Sequence, residues 1–432
     1  MGSEEIQVSS GNADARLFDT AGSSLLDSPG LIEFISANSK ADPADLRLRL
    51  SGRELAFDLD FALTQIECRR KNARKLPYFI SHPGFLFPSG LAAQQATDQE
   101  VARYHATLAP SGSRWLDLTA GLGIDALSAA IAGHRVTAVE IESWKCDVLR
   151  HNAEALLGQD SDFEAWCADS QQIAEETDSD EYDVIFIDPA RRGTGDRRLY
   201  ALADCMPDVT RLMPRLLSIA PRVIVKASPM LDVSEALRQL PSVSNVESVS
   251  HRGECKELLL ICRRETRPRS FAARMIGADG AIESFEWQEN PDVDACGFSS
   301  VSRPDKDVKD YPSTAFRWLY ELDAALVKLR PDKVLSVRWP SLRKADPNTQ
   351  LYLSEEKITE FPGRVTEIIS RPAPRDLRKM KGEGMTVVSR NYPESAEAIR
   401  ARYRFSENPH KFLYAFRLDG KPTMLLTELL TI

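Results

Sequence analysis

The chain has 432 residues, 43% hydrophobic and 28% charged, which is room for about three domains of roughly 150 residues each. With 55 basic against 64 acidic residues its net charge is −9, so it does not coat duplex nucleic acid by bulk charge, although a local basic patch remains open. No apolar run approaches the roughly 18 residues of a membrane span. The polar, acidic start MGSEEIQVSSGNADARLFD lacks the basic and apolar segments of a secretory signal, so a cytoplasmic protein is expected. The seven cysteines (68, 146, 167, 205, 255, 262 and 296) are odd in number, scattered and free of CxxC spacing, which argues against a disulfide framework or a thiolate zinc site. The six histidines form neither HExxH nor HxxxH, so no metal is expected, and nothing fixes an oligomeric state.

Residues 1–30, rich in Ser, Gly, Asp and Ala, read as a disordered lead-in. From 31 to 111 the pattern is helical. Residues 58–76 carry apolar positions at Phe61, Ile66 and Leu76, and 96–109 open with Thr97 as expected N-cap and Glu100 as its capping-box partner. The apolar face of that second helix would carry Val101, Tyr104 and Leu108. Between the two lies HPGFLFPSG (82–90), a Pro/Gly-marked loop with three apolar side chains.

From 112 to 265 strands alternate with helices. Strands are expected at 115–120, 135–141, 163–169, 182–188 and 222–229, and helices at 121–132, 142–157 and 208–220, the last interrupted by Pro214. Residues 245–251 and 255–264 read as an antiparallel closing pair. Strands separated by helices of this length imply an α/β fold with a parallel sheet. Beyond 265, residues 273–287 read as a hairpin about Asp279-Gly280, 314–329 as a helix, and 360–432 as short strands alternating with basic turns.

The chemistry centres on Asp117 to Ala126, DLTAGLGIDA, which follows a strand and opens a helix. Gly121 and Gly123 permit a tight turn and close backbone approach to a ligand. Glu140, 19 residues after Gly121 at the end of the next strand, can accept from both hydroxyls of a ribose. The spacing also satisfies a dinucleotide pattern. However, Asp117 and Asp125 flank the turn and would oppose a diphosphate, whereas a cationic sulfonium with an amino-acid tail gains from an acid beside it. S-adenosylmethionine (SAM) is therefore favoured over a nicotinamide cofactor.

On these residues the stretch from about 112 to 265 resembles the class I SAM-dependent methyltransferases, which implies a Rossmann-like domain. Asp117 and Gly121-Leu122-Gly123 match the family's first motif, Glu140 its ribose acid, and Ala168-Asp169 the acid that contacts the adenine amine. The resemblance implies a cofactor site of Asp117, Thr119, Ala120, Gly121, Gly123, Asp125, Glu140, Ile141, Ala168, Asp169 and Asp188. Asp188-Pro189-Ala190-Arg191 matches the catalytic motif, Asp/Asn-Pro-Pro-aromatic in amino-group methyltransferases. Asp188 and the Pro189 carbonyl would hold the target nitrogen, and Arg191 would supply the stacking surface of the missing aromatic. Asp-Pro-x-Arg is also similar to RNA uridine carbon-5 methyltransferases, but the cysteine they need after the fifth strand is replaced by Lys226-Ala227-Ser228-Pro229. Cys205 could substitute in principle, though a cysteine on a helix is more often packing. RRGTGDRR (191–198), with Arg191 and Arg192 directly after the motif, is either a phosphate contact or a solvated loop. Lys226 either binds substrate phosphate or pairs with Asp188.

Phe361-Pro362-Gly363-Arg364-Val365 and Ser389-Arg390-Asn391-Tyr392-Pro393 resemble a narrower group, bacterial methyltransferases with a C-terminal THUMP-like domain. LYELDAALVK (319–328) and LYLSEE (351–356) look like that group's ferredoxin-like linking domain, and QQATDQEVARYHA (94–106) like its helical lead-in. The resemblance implies domains at 31–111, 112–265, 266–358 and 359–432, and an RNA-linked role. The basic stretch 371–381, with Arg375, Arg378 and Lys379, and the later Arg390-Asn391 would dock RNA. The expected function is methylation of an RNA base nitrogen. A protein or small-molecule substrate, or a non-catalytic SAM-binding RNA-recognition module, are the alternatives.

Overall fold

A computed structural model describes residues 25–191, 201–265, 267–289 and 316–429. The expectations for residues 1–24, for Arg192 with the rest of the 192–200 loop, and for Cys296 lie outside the described residues. The chain forms two compact units, one of residues up to 244 with 259–267, the other of 245–258 with 268–432.

In the first unit the parallel strands β1 (Arg114–Asp117), β2 (Arg135–Glu140), β3 (Phe163–Cys167) and β4 (Val184–Ile187) are joined by the expected helices Ile124–Ile131 and Ser143–Leu157. A two-residue ribbon of β5 (Ala190–Arg191) and β6 (Cys205–Met206) follows the fourth strand, and β7 (Arg222–Ala227) closes on β4. The resulting order is β7-β4-β1-β2-β3. Strands β1 and β4 lie at its centre, and Val184 to Ile187 are all buried, as a strand covered on both faces requires. The helix at 209–219 runs through Pro214 without a break. Helices Ser170–Glu176 and Val233–Gln239 are additional to the expected set. Each is only seven residues long, too short for the periodic pattern to register.

The helical region before β1 belongs to the same unit rather than standing apart. Its core begins inside the expected lead-in, at Leu26, and includes Phe61 and Ile66 of helix Leu59–Asn72. That helix is capped by Asp58, which accepts from the Phe61 amide. Phe85, Leu86 and Phe87 of the 82–90 loop are all fully buried. A buried loop must have its backbone satisfied, and three side chains do this. Arg69 donates to the carbonyls of Ile80, His82, Pro83 and Phe85. Gln65 exchanges two 2.8 Å bonds with Phe87, and Asn152 exchanges two 2.8 Å bonds with Leu86.

In the second unit, strands β8 (Val243–His251), β9 (Glu254–Arg263), β10 (Ser270–Ile276) and β11 (Ile282–Gln288) follow in the chain, with 245–258 of the first two in this unit. The β10–β11 hairpin turns at Asp279-Gly280 as expected. The expected helix at 314–329 is corrected. Trp318–Leu322 is strand β12, buried at every residue, and only Ala324–Leu329 is helical, capped by Asp323 at 2.8 Å from the Ala325 amide. A continuous apolar run carries no period that separates helix from strand, and the aromatic Trp318 and Tyr320 suit the pleated surface.

Strand β12 pairs with both β14 (Thr349–Ser354), which follows β13 (Arg343–Asp346), and β15 (Gly363–Ser370). With β16 (Thr386–Arg390), β17 (Lys411–Leu418) and β18 (Lys421–Leu429) these make one sheet of order β13-β14-β12-β15-β18-β17-β16. The stretches 266–358 and 359–432 therefore share a sheet. This sheet curls until its first strand meets the β17–β18 turn, where the Asp419 amide donates to the Ala345 carbonyl and the Gly420 amide to Asp346. Gly363 sits where β15 meets β12, at φ 151°, and a Cβ there would fall 2.2 Å from the Glu321 carbonyl oxygen. Because that neighbour is backbone, Gly363→Ala is expected to lose about 3 kcal/mol of stability. Urea unfolding of the full chain checks it.

Candidate active site

Register sets the site. Asp117 of β1 lies opposite Phe186 of β4, and Ile187 opposite Val225 of β7, so Asp188 and Lys226 leave neighbouring strands at the same carboxyl edge. The turn after β1 carries Gly121 at φ 56° and Gly123 at φ 87°. A Cβ on Gly123 would meet Leu149 Cδ1 at 2.2 Å, so this glycine lets two helices pack closely. A Cβ on Gly121 would meet nothing within 4 Å, so this glycine borders open space.

Glu140 is nearly buried and fixed by two backbone donors, the Gly121 amide at 2.9 Å and the Glu142 amide at 2.8 Å, one on each oxygen. Each oxygen keeps a further lone pair. Ile141, next along, is 63% exposed. The Ala168 amide donates to the Glu140 carbonyl at 3.1 Å. Asp169 is exposed and caps helix Ser170–Glu176, with Oδ1 accepting from the Gln171 amide at 2.7 Å. These residues suit an adenosine in their chemistry, with a carboxylate that keeps a lone pair on each oxygen, an exposed apolar side chain next to it in the chain and an exposed acid after the next strand.

Asp117 is 1% exposed and accepts from the Thr119 amide at 3.0 Å. Burial pushes its pKa up to about 8, with the charges of Asp125 and Asp188 acting in the same sense. The Thr119 hydroxyl accepts from the Asp188 amide at 2.7 Å, which ties the glycine turn to the end of β4.

Asp125, expected at the cofactor, is engaged by side chains of the protein. Its Oδ1 is hydrogen-bonded to His105 Nδ1 at 2.7 Å, and its Oδ2 accepts from the Thr97 hydroxyl at 2.5 Å. Burial would raise its pKa, but the charges of Lys226 and His105 and these hydrogen bonds outweigh it and hold the carboxyl low. Of the two expectations for Lys226, the structure shows the pairing with Asp188. Its ammonium donates to Asp188 Oδ2 at 2.7 Å and to the Thr97 hydroxyl at 2.9 Å, with Asp125 Oδ2 at 3.7 Å.

The capping box is corrected too. The helix begins at Gln99 behind Asp98, and Thr97 turns to the ion cluster instead. His105, fully buried and lying over Phe186 at 5.2 Å, is a site residue that the sequence reading passed over. A single histidine on a helix carries no metal or triad spacing, so no pattern marks it. Cys205 stands in β6 opposite Arg191, not on a helix. Among the described residues no group of acids, histidines and cysteines could hold a metal ion, and no helix is long and apolar enough to cross a membrane.

In the second unit Arg375, Arg378 and Lys379 are exposed on helix Pro374–Lys379. Arg390 pairs with Glu321 at 2.9 Å, and Asn391 adopts φ 51° with its amide 3.4 Å from the Thr349 hydroxyl.

Two predictions follow from the charges. The native state holds a proton on Asp117 that an unfolded chain, with a carboxyl pKa near 3.8, releases. This contribution to stability is complete below about pH 4 and is lost as pH rises towards 8. Asp117→Asn removes that slope, so its Tm is expected to gain on the parent's between pH 5 and 8 in calorimetry. Lys226→Met leaves Asp125 and Asp188 facing each other at the edge of the core, and a loss of about 3 kcal/mol is expected from chemical unfolding.

The family described as conserved hypothetical protein 95 matches residues 103–197, and the THUMP domain-like family matches residues 364–429. No curated protein matches the chain. A protein of Porphyromonas gingivalis W83, described as a candidate methyltransferase, superposes with a TM-score of 0.77 at 26% identity, over 93% of this chain and 98% of its own. A predicted O-methyltransferase of Agrobacterium tumefaciens aligns at 15% identity and TM-score 0.31, over 40% of this chain and 85% of its own. A tRNA (uracil-54, C5)-methyltransferase of Pyrococcus abyssi aligns at 14% and 0.27, over 42% and 40%. At such TM-scores these two likenesses bear on nothing further. The full-length likeness is to a methyltransferase and the C-terminal match is to a THUMP-like domain, so the chain is similar to SAM-dependent methyltransferases that carry a C-terminal THUMP-like domain.

Proposed function

We propose that the protein transfers a methyl group from SAM to a base nitrogen of RNA. The observation that carries this reading is the state of Asp188. Lys226 holds its Oδ2 at 2.7 Å and the Thr119 hydroxyl holds its backbone, while Oδ1 has no partner among the described residues. That oxygen stands at the carboxyl end of β4, the sheet edge that also carries the Gly121 turn and Glu140.

Glu140 would hold the ribose hydroxyls, Ile141 and Asp169 the adenine, and Asp117 the cationic amino-acid end. The cofactor supplies an electrophilic methyl carbon on a sulfonium. Oδ1 of Asp188 accepts the N–H of the target, the Pro189 carbonyl accepts a second N–H where one exists, and the nitrogen lone pair is turned outward. The carboxylate then takes the proton that the methylated nitrogen sheds. Rate comes mainly from positioning and exclusion of water. The exposed basic residues of the second unit, Arg375, Arg378 and Lys379, would bind phosphates and leave base selection to the first unit.

The test uses tritiated SAM with total RNA from a strain lacking the gene and from its parent. Label is expected only in the deletion-strain RNA. Asp188→Ala is expected to lose roughly 100-fold to 10,000-fold in rate with SAM affinity retained. Full turnover by that variant overturns the role of Asp188. Confirmed SAM binding with no label in RNA directs attention to a protein or small-molecule substrate, or to a module that binds SAM without turnover.

A further inference from the structure

The concave face of the curled sheet is apolar along most of its length, built from Leu319, Leu351, Leu353, Phe412, Tyr414 and Phe416. One end is different. Glu321 follows Leu319 on the same face by the two-residue period of a strand and is only 9% exposed. Its Oε2 accepts from Arg364 at 2.9 Å and from the Tyr414 hydroxyl at 2.9 Å, and its Oε1 accepts from Arg390 at 2.9 Å. The Arg364 guanidinium also lies 4.6 Å from the centre of the Phe412 ring.

One carboxylate is thus shared by two guanidiniums, and the group carries a net positive charge. A single arginine would neutralise Glu321. The second brings like charges together around one oxygen pair, a cost that a bound anion removes. Both arginines reach outward, with side chains 41% and 56% exposed. Among the described residues Arg364 keeps Nε and Nη2 without a partner, and Arg390 keeps Nε. Planar donors already fixed in place lose little freedom on binding and match the forked geometry of a phosphate. Arg390 also lines an open groove of about 550 Å³ formed by residues 387–397.

We infer that Arg364 and Arg390, held by Glu321 and Tyr414, form a phosphate-binding site for the backbone of an RNA strand at the mouth of this sheet. The inference deepens the RNA reading and rests on it. Glu321 is a positioning residue here, and the two guanidiniums make the contact.

The experiment is fluorescence anisotropy of a labelled single-stranded RNA of mixed sequence against the full chain, across a range of salt. Arg390→Gln leaves Glu321 paired with Arg364 and Tyr414 and so keeps the fold. It is expected to weaken RNA binding about tenfold and to lower the slope of log affinity on log salt by roughly 0.7, the value for one phosphate contact on a single strand. A second variant, Arg364→Lys with Arg390→Lys, retains both charges against Glu321 while losing the forks. It is expected to keep the slope and still lose affinity. Inorganic phosphate should raise the Tm of the parent chain but not that of Arg390→Gln. RNA binding by the parent with an unchanged slope in Arg390→Gln overturns this site and leaves the RNA reading standing. No RNA binding by the parent at low salt overturns both. Phosphate stabilisation without RNA binding marks a site for a small phosphorylated molecule and overturns the assignment to RNA.

Discussion

One ammonium group organises the methyltransferase-fold unit. Lys226 stands between the carboxylates of Asp188 and Asp125, and Thr97 bridges from the helical region to both Lys226 and Asp125. Two acids brought this close would repel and protonate without it. With it, Asp125 remains ionised against His105, and Asp188 presents a single oxygen outward. The same cation therefore anchors the helix that follows the glycine turn and the end of β4, two segments far apart in sequence.

The three acids at this edge differ because their surroundings differ. Asp125 has a lysine, a histidine and a hydroxyl around it; Asp117 has burial and one amide, and it keeps its proton to about pH 8. Burial alone did not decide their charge, since both are largely enclosed. The division gives one acid held in an ion cluster, one kept neutral by burial, and one, Asp188, that is tied to Lys226 by a single oxygen.

Much of this was legible in the sequence because it rests on local order. Strand, glycine turn and helix follow directly in the chain, and Glu140 falls one βα unit later, so this order and the nearness of Glu140 to the turn could be read from spacing. The pairing of Lys226 with Asp188 was one of two readings open, but the joining of Thr97 and His105 to the same cluster could not be read. Lys226 stands more than a hundred residues beyond Thr97 and His105, and they become neighbours only through the pairing of β4 with β7 and the packing of a helix that precedes β1. Likewise Trp318 to Leu322 read as part of a helix, and only the pairing with β14 and β15 on either side shows it to be a strand. Arg364 and Arg390 each stood in a recognisable stretch, but the shared Glu321 between them belongs to a third.

The buried 82–90 loop has a consequence for how this domain can be inherited. Its three apolar side chains are enclosed, and its carbonyls and amides are satisfied by Arg69 and Gln65 from the helical region and by Asn152 from the α/β layer. Cutting the chain at 112, where the strand pattern begins, would take away Thr97 and His105 and leave Asn152 facing no backbone. The evolutionary module is thus longer than its recognisable motifs. The helices before β1 are a fixed part of the unit that carries the glycine turn, and they have to be inherited with it.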